Sequence, residues 1–229
     1  MPTEYRFDSA DAAARDLARH VAGRLSAAIA DRGVATLALS GGRSPRAMLE
    51  ALRTMPLDWA KLIVVQVDER WVEADHPDSN QRLIREALLT GPAAAARLVA
   101  MKNDAPDAYR GQPACEAAMA ALPWPLDIVL LGMGEDGHTA SLFPGAAELH
   151  EGLTTSALTL AVTPPAAPHQ RLSLSRRAIL SSREILLQIG GSAKEAVYWA
   201  ALAGGAVEEM PIRAALLQDQ TPVTVWISA

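Results

Sequence analysis

"LDIVLLGMGEDGH", residues 126–138, joins an apolar run, interrupted only by Asp127, to a glycine-rich turn. A short, continuous apolar run that is bounded by turn residues is typical of a β-strand buried on both faces of a sheet. The stretch therefore predicts a central parallel strand, and it places Gly132 and the residues after it at the carboxyl edge of the sheet.

The same alternation continues on both sides of this stretch. Further apolar runs predict strands over 34–40, 61–69, 157–163, 184–190 and 223–228. Helical patterns lie between them over 9–33, 44–55, 78–89, 109–122, 192–204 and 211–218, the first of which is expected to end at Gly33. Helices that alternate with buried strands predict a three-layer α/β fold of the doubly wound, Rossmann-like type, with a mostly parallel sheet and helices on both faces. We expect residues 1–229 to form a single domain.

Composition excludes several classes of protein. Of 229 residues, 50% are hydrophobic, so a large core is available, and the net charge of −5 argues against partners such as nucleic acid or an anionic membrane. The single cysteine excludes an intrachain disulfide and fits a reducing, cytoplasmic location. Neither a signal peptide nor an apolar run of about 20 residues is visible.

Glycines and charged residues follow the predicted strands. The segments are "SGGRSP" (40–45), "DER" (68–70), "GMGEDGH" (132–138), "TPP" (163–165) and "GGSAK" (190–194). Open α/β sheets bind ligands outside the carboxyl ends of their strands, so we expect these segments to meet at one site.

Two of these segments suit an anion. Gly41 and Gly42 let the backbone approach a ligand at a helix start, where Arg43 and Ser44 add donors. Lys194 falls in the first turn of another helix, where a cation is disfavoured unless an anion lies in front of it. An ordinary turn and a solvated lysine are the alternatives.

The charged residues Asp68 and Arg70 could bind sugar hydroxyls and an anionic group, or form an exposed ion pair. Arg171 could point to the same edge or to water. Sequence alone leaves both choices open.

Helix caps are predicted at three places. Ser44 and Ser175 are candidate N-caps, and Pro45 suits the first turn of the helix that follows Ser44. Ser192 and Glu195 match the S-x-x-E capping box.

The glycine loop at 132–137 matches G-x-G-x-x-G, but a dinucleotide site is improbable. Pro144 and Gly145 leave no room for a long helix, and the next predicted strand, 157–163, does not end in an acid. A serine-hydrolase elbow, G-x-S-x-G, is absent from the sequence.

A metal site built from Asp136, His138 and His150 is also disfavoured, because the chain has neither H-E-x-x-H nor a cysteine cluster. We therefore expect no metal and no cofactor.

His138 is the candidate general base. An imidazole can accept a proton near neutral pH, and Glu135 or Asp136 could orient it; the sequence does not decide which. Backbone N–H groups of the turn around Gly134, or the Arg70 side chain, could stabilise an oxyanion.

Several segments together resemble the 6-phosphogluconolactonase family. They are "LALSGGRSP" (37–45), "VVQVDERWV" (64–72), "HPDSN" (76–80), "DIVLLGMGEDGHTASLFPG" (127–145), "RLSLS" (171–175) and "LLQIGGSAK" (186–194). The sister glucosamine-6-phosphate deaminases usually replace T-A-S-L-F-P with a segment of the type I-A-F-N-E-P. One departure is that Glu73 and Ala74 stand where the lactonases commonly have a proline.

The resemblance implies metal-free hydrolysis of 6-phospho-D-glucono-1,5-lactone. It assigns catalysis to His138, and it assigns phosphate and sugar contacts to Gly42, Arg43, Asp68, Arg70, Arg171 and Lys194. The implied partner is a phosphorylated sugar lactone, bound by a monomer or small homo-oligomer. The alternatives are an amino-sugar-phosphate isomerase/deaminase, for which Asp68 could supply a second base, and a non-catalytic sugar-phosphate sensor.

Overall fold

The computed structural model describes residues 2–42 and 44–229 and divides them into strands and helices. The strands are β1 Thr3–Phe7, β2 Ala35–Leu39, β3 Leu62–Gln66, β4 Asp68–Arg70, β5 Arg97–Val99, β6 Ile128–Leu131, β7 Thr159–Val162, β8 Arg171–Leu174, β9 Ile185–Gly190 and β10 Val223–Ser228. The helices are α1 Ala10–Arg32, α2 Ser44–Leu52, α3 Asn80–Ala87, α4 Ala108–Ala120, α5 Leu149–Thr154, α6 Arg176–Leu180, α7 Ser192–Leu202 and α8 Arg213–Leu216.

The main sheet has seven strands in the order β1-β10-β9-β6-β2-β3-β5, and every adjacent pair is parallel. From β2 the chain moves outward through β3 to β5, then returns to β6 on the other side of β2 and moves outward again. The doubly wound fold predicted from the sequence is therefore confirmed. The order in which strands are added to the sheet reverses between β2 and β6, and folds of this type bind ligands at such a point.

Side chains on the two faces of the main sheet enter two separate hydrophobic cores. Leu37 and Leu39 of β2 pack with α1, α2 and α3, whereas Ala38 between them packs on the opposite face with α4 to α8. All five residues of β2 are buried, because successive side chains of a strand point to opposite faces and both faces are covered. The three-layer arrangement follows.

Helix α1 shows how local sequence sets the ends of an element. The Ser9 side chain accepts a hydrogen bond from the N–H of Ala12, and Gly33 adopts a left-handed conformation with φ of 76°. The Gly33 N–H donates to Ile29 O at 2.9 Å, which closes the helix. The predicted end at Gly33 is confirmed. None of the described helices is long and apolar enough to cross a membrane.

A second sheet of three antiparallel strands, β4-β8-β7, corrects part of the prediction. The run 61–69 is not one strand. Val67 divides it: its N–H donates to Leu39 O beside the main sheet, and its C=O accepts from the N–H of Leu174 in β8. The run 157–163 likewise belongs to the second sheet, so "TPP" does not lie at the edge of the main sheet.

Strands β1, β5 and β8 were not predicted. Two of them, β1 and β5, are edge strands of the main sheet, and β8 has only four residues. Pairing with distant strands, and not a long apolar run, makes each of them a strand.

Two of the three predicted caps can be judged. Ser175 caps α6 by accepting from the N–H of Ala178, as predicted. The capping box at Ser192 is wrong, because Gly191 occupies the N-cap position and Glu195 bonds to Arg6 and Trp199. Helix α2 begins at Ser44 itself, with Pro45 in its first turn.

Candidate functional site

A cleft of about 210 Å³ lies at the carboxyl ends of the parallel neighbours β2 and β6. At this point of the sheet the order in which the chain adds strands reverses. The walls of the cleft come from the loops that follow β2 and β6, from the first turn of α7, and from β4 and β8 of the second sheet. The lining residues are Ser40, Gly41, Gly42, Asp68, Arg70, Gly132, Met133, Gly134, His138, Ala140, Arg171 and Lys194.

Most of the residues predicted from the sequence meet in this cleft. They are Gly41, Gly42, Asp68, Arg70, Gly134, His138, Arg171 and Lys194. Asp136 contacts the His138 ring from the same loop. The predicted ligand Arg43 lies outside the described residues, and Ser44 begins α2 next to the cleft.

A larger cavity of about 440 Å³ adjoins the cleft and shares Gly42 and Arg70 with it. It runs along α3 and includes Arg82 and Glu86 in its lining. We place the candidate active site in the smaller cleft, because that one is lined by His138, the candidate base.

The His138 ring is held in one orientation by its neighbours. Its Nδ1 lies 2.6 Å from Asp136 Oδ1, and its face packs on Phe143 with ring centroids 4.3 Å apart. An ionised carboxylate only accepts hydrogen bonds, so Nδ1 carries the proton and Nε2 carries the lone pair. No residue within 2–42 or 44–229 hydrogen-bonds Nε2. The pair can therefore accept a proton at Nε2.

Gly134 leaves the space that the His138 ring occupies. A Cβ at this position would lie 2.1 Å from His138 Nδ1 and 2.4 Å from Asp136 Oδ1. Non-bonded atoms do not approach so closely, so any side chain at position 134 would displace the His138 ring. The glycine is therefore required by the His138–Asp136 pair.

The N–H groups of the three loop glycines are already used. Gly132 donates to Ser40 Oγ, Gly134 to His138 O and Gly137 to Gly134 O. Their bonds hold the loop in shape but leave none of these three N–H groups for an oxyanion. Arg70, the other candidate, lines the cleft.

Asp68 is buried, and its carboxylate is surrounded by donors. Ser141 Oγ donates to Oδ2 at 2.7 Å, Asn80 Nδ2 donates to Oδ1 at 3.2 Å, and Arg171 Nη1 lies 3.6 Å from Oδ2. Both oxygens are thus engaged. Asp68 positions Arg171 at the cleft.

Arg70 and Arg171 stand directly opposite each other on β4 and β8. The Nε of each is buried and bonds to none of the residues in 2–42 and 44–229. Burial lowers the pKa of Arg171, the Asp68 charge partly offsets this, and the Arg70 charge adds to the lowering. Two adjacent cations with unused buried donors favour an anion at this end of the cleft.

Lys194 provides a third cation among the residues that line the cleft. It is the third residue of α7, whose N-terminus follows the left-handed Gly191 with φ of 83°. Its ammonium forms no ion pair with the residues that the structure describes. A lysine beside the free N–H groups of a helix start suits a phosphate.

Two residues that build the site were missed from the sequence. Glu69 is buried and accepts hydrogen bonds from the N–H groups of Arg70, Asn80 and Gln81. Asn80 packs so tightly on Gly41 that a Cβ on the glycine would lie 1.7 Å from Asn80 Oδ1. Glu69 lies in "DER" and Asn80 in "HPDSN", but the residue pattern does not show that these two polar side chains are buried together.

Ser40, which lines the cleft, and His150, the third member of the disfavoured metal site, have no place in the chemistry. The Ser40 hydroxyl donates to Leu130 O and accepts from the N–H of Gly132, so it links β2 to β6. His150 lies on α5 and does not join Asp136 and His138 in any described cluster of metal-ligating side chains.

Comparisons with known proteins agree with the fold and the loops. Residues 8–226 match the family model described as glucosamine-6-phosphate isomerases/6-phosphogluconolactonase. The chain is 48% identical over 205 residues to a 6-phosphogluconolactonase from Pseudomonas putida, which covers 89% of this chain and 84% of the relative. It superposes on the crystal structure of a 6-phosphogluconolactonase from Shewanella baltica OS155 with a TM-score of 0.99 and 43% identity, covering 100% and 98% of the two chains.

A monomeric glucosamine-6-phosphate deaminase is similar at a TM-score of 0.82, but at only 23% identity over 99% of this chain and 97% of that chain. This second likeness shows a shared fold and no more.

Proposed function

This chain belongs to the family of glucosamine-6-phosphate isomerases and 6-phosphogluconolactonases. From that premise we propose that its cleft hydrolyses 6-phospho-D-glucono-1,5-lactone. The reaction is the opening of a cyclic ester by water to give 6-phospho-D-gluconate, the second step of the oxidative pentose phosphate pathway. The resemblance inferred from the loops is confirmed by relatives at 40–48% identity.

His138 is the general base. Its Nε2 takes a proton from a water molecule, and the oxygen of that water bonds to the lactone carbonyl carbon. Asp136 keeps the proton of the imidazole on Nδ1 beforehand and stabilises the imidazolium afterwards. The chemistry needs no covalent enzyme intermediate, because a lactone is already electrophilic.

Collapse of the tetrahedral intermediate completes the reaction. The carbonyl carbon–ring oxygen bond breaks, and the ring oxygen takes the proton from His138 Nε2. Arg70 stabilises the oxyanion, since its guanidinium lines the cleft and its buried Nε is unused by the described residues. The product acid then loses a proton to solvent, so the reaction can be followed as acid release.

Substrate binding relies on the cations around the cleft. Lys194 and the Gly41–Gly42 turn, with Arg43 and Ser44 beside it, hold the phosphate. Arg171, which Asp68 positions, holds the sugar end, and Gly134 forms the wall beside the base. A substrate fixed at its phosphate presents its carbonyl to His138 in one orientation.

The His138–Asp136 pair facing a cleft with three cationic side chains is the observation that supports this proposal. Its test is acid release from freshly generated 6-phosphogluconolactone, measured above the spontaneous rate. We expect His138→Asn to lower kcat by about 10²–10⁴-fold with little change in KM. A kcat that stays at the wild-type value would remove His138 from the mechanism.

Ammonia release from glucosamine 6-phosphate tests the rival deaminase reaction. That reaction needs a second carboxylate base, for which Asp68 is the candidate. Both Asp68 oxygens already accept hydrogen bonds, from Asn80 and Ser141, which argues against this role.

The cellular setting is part of the same proposal. We place the enzyme in the cytoplasm as a single domain that acts as a monomer or small homo-oligomer. Its one thiol, Cys115, is free and buried, which fits a reducing compartment.

A further inference from the structure

Outside the cleft, two loops bring metal-ligating side chains together. One loop joins β4 to α3, and the other joins β7 to β8. Within the part of the chain that the structure describes, one group of three such residues is found: His76, Asp78 and His169, whose ligand atoms all lie within 4.8 Å of one another.

The three donor atoms lie close to one another. His169 Nε2 lies 3.1 Å from Asp78 Oδ2, and His76 Nδ1 lies 3.9 Å from the same oxygen. The N–H of Asp78 donates to His76 Nδ1 at 3.1 Å, so this nitrogen carries a lone pair, and binding an ion there would replace that hydrogen bond. The side chains of His76 and His169 are 40% and 30% exposed, which leaves the rings free to turn toward an ion.

The backbone around the group is held in an unusual conformation. His169 has φ of 68°, a left-handed value that is uncommon for a residue with a side chain and that tends to occur at functional sites. This conformation directs the His169 ring across the gap to Asp78. The rings of His76 and His169 meet edge to face, with centroids 5.5 Å apart.

We propose that His76, Asp78 and His169 form a binding site for a divalent transition-metal ion of the Zn²⁺ type. Two imidazoles and one carboxylate are a donor set that such ions prefer, and a water molecule completes four-coordination. Tetrahedral ligands stand roughly 3.3 Å apart at ordinary Zn–N and Zn–O distances, so rotation of the exposed His76 ring closes the site.

The bound ion would tie the two loops together beside the larger cavity, which Asp78 lines. Asp78 also accepts a hydrogen bond at its C=O from Arg70 Nη1 at 2.6 Å, so the ion site and Arg70 share one residue. The positive charge of Arg70 opposes a second cation nearby. We therefore expect moderate affinity and a stabilising role for the ion, with no part in the hydrolytic step.

Calorimetric titration of metal-free protein with Zn²⁺ tests the site. We expect one ion per chain, with affinity reduced at least about tenfold in His76→Gln and in His169→Asn. Asn is chosen at position 169 because it tolerates a left-handed backbone. His150→Gln, which removes another exposed histidine, and His138→Asn, which removes the histidine of the cleft, serve as controls that keep the wild-type affinity.

The outcomes distinguish zinc bound by these three residues from zinc bound in the cleft and from no binding, without an activity assay. X-ray absorption of the zinc-loaded wild type must show two imidazole ligands, and this measurement needs no variant. The proposal is overturned by absence of zinc binding to the wild type, by unchanged affinity in both ligand variants, or by loss of affinity in His138→Asn, which would locate the ion in the cleft.

Discussion

At the scale of single residues, the structure decides which carboxylate serves His138. The sequence places Glu135 and Asp136 side by side, and either could reach the ring. In the turn at 135–138, Asp136 Oδ1 accepts hydrogen bonds from the backbone N–H of His138 and from the Nδ1–H of its ring. The choice depends on the direction of the side chains in this turn, which sequence spacing does not reveal.

Asp136→Asn should therefore impair catalysis. An amide can donate to Nδ1, which would leave the proton on Nε2 and remove the lone pair that accepts a proton from water. We expect kcat to fall by about 10²-fold or more while KM changes little, measured as acid release from the lactone.

Glu135→Gln is the matched control for that variant. It alters the adjacent carboxylate in the same loop, and kcat should stay near the wild-type value. Equal losses in both variants would mean that loop charge, and not control of the imidazole proton, supports the reaction.

At the scale of elements, the connection from β4 to α3 depends on one buried carboxylate. Glu69 accepts hydrogen bonds from five donors, including the side chains of Gln66 and Ser79. Burial raises the pKa of Glu69, and the bonds from the backbone N–H groups act in the opposite direction. These bonds fix the start of α3, and with it Asn80, against the Gly41 turn of the cleft.

Glu69→Ala should destabilise the fold by more than about 2 kcal/mol, because it leaves several buried donors unsatisfied. The free energy of unfolding in urea measures this loss. Glu73→Ala, on the same connection but with an 83% exposed side chain, should change stability by less than about 1 kcal/mol. Similar losses in the two variants would show that Glu69 does not organise the connection.

The packing of α1 on the sheet contains a second buried carboxylate, with a dependence on pH. Burial alone would raise the pKa of Glu184, but the hydrogen bond from His20 and the charges of His20 and Arg24 outweigh it, so the pKa is lowered from 4.5. A lowered pKa in the folded state means that the carboxylate stabilises the fold above that ordinary value. The contribution is lost as pH falls through the lowered pKa.

Urea unfolding between neutral pH and about pH 2.5 checks this expectation, because the loss begins below the ordinary value and continues through the lowered pKa. The wild-type free energy of unfolding should decrease toward acid, and Glu184→Gln should be less stable at neutral pH and show a shallower decrease. Parallel curves for the two proteins would contradict a role for Glu184 in acid unfolding.

At the scale of the whole molecule, the core on one face of the main sheet, the face that α4 covers, encloses the single thiol. Cys115 lies on α4 at 1% exposure, and burial raises its pKa to about 12. The thiolate is the reactive form, so the folded protein should resist alkylation at mildly alkaline pH.

The thiol therefore reports on unfolding. We expect labelling of Cys115 to be slow in buffer and rapid in denaturing urea, with a midpoint that matches loss of helical signal by circular dichroism. Rapid labelling of the fully folded protein would show that α4 opens locally.

The secondary structure of regular, strongly apolar segments could be predicted from the sequence alone. Strands such as β2 and β6, the helix that ends at Gly33, and the meeting of Gly41, Arg70, His138 and Lys194 at one edge all follow from local pattern and from the rule that parallel strands end together. The comparisons confirm the family inferred from those loops.

Only the tertiary structure decided the features that depend on distant pairing. The division of 61–69 at Val67, the second sheet, the opposition of Arg70 to Arg171, and the contact of His76 with His169 join segments far apart in the chain. The physical reason is that apolar periodicity reports burial, which is a local property. The partner of a strand, or of a side chain on a loop, is instead selected by competition among all the surfaces that folding brings together.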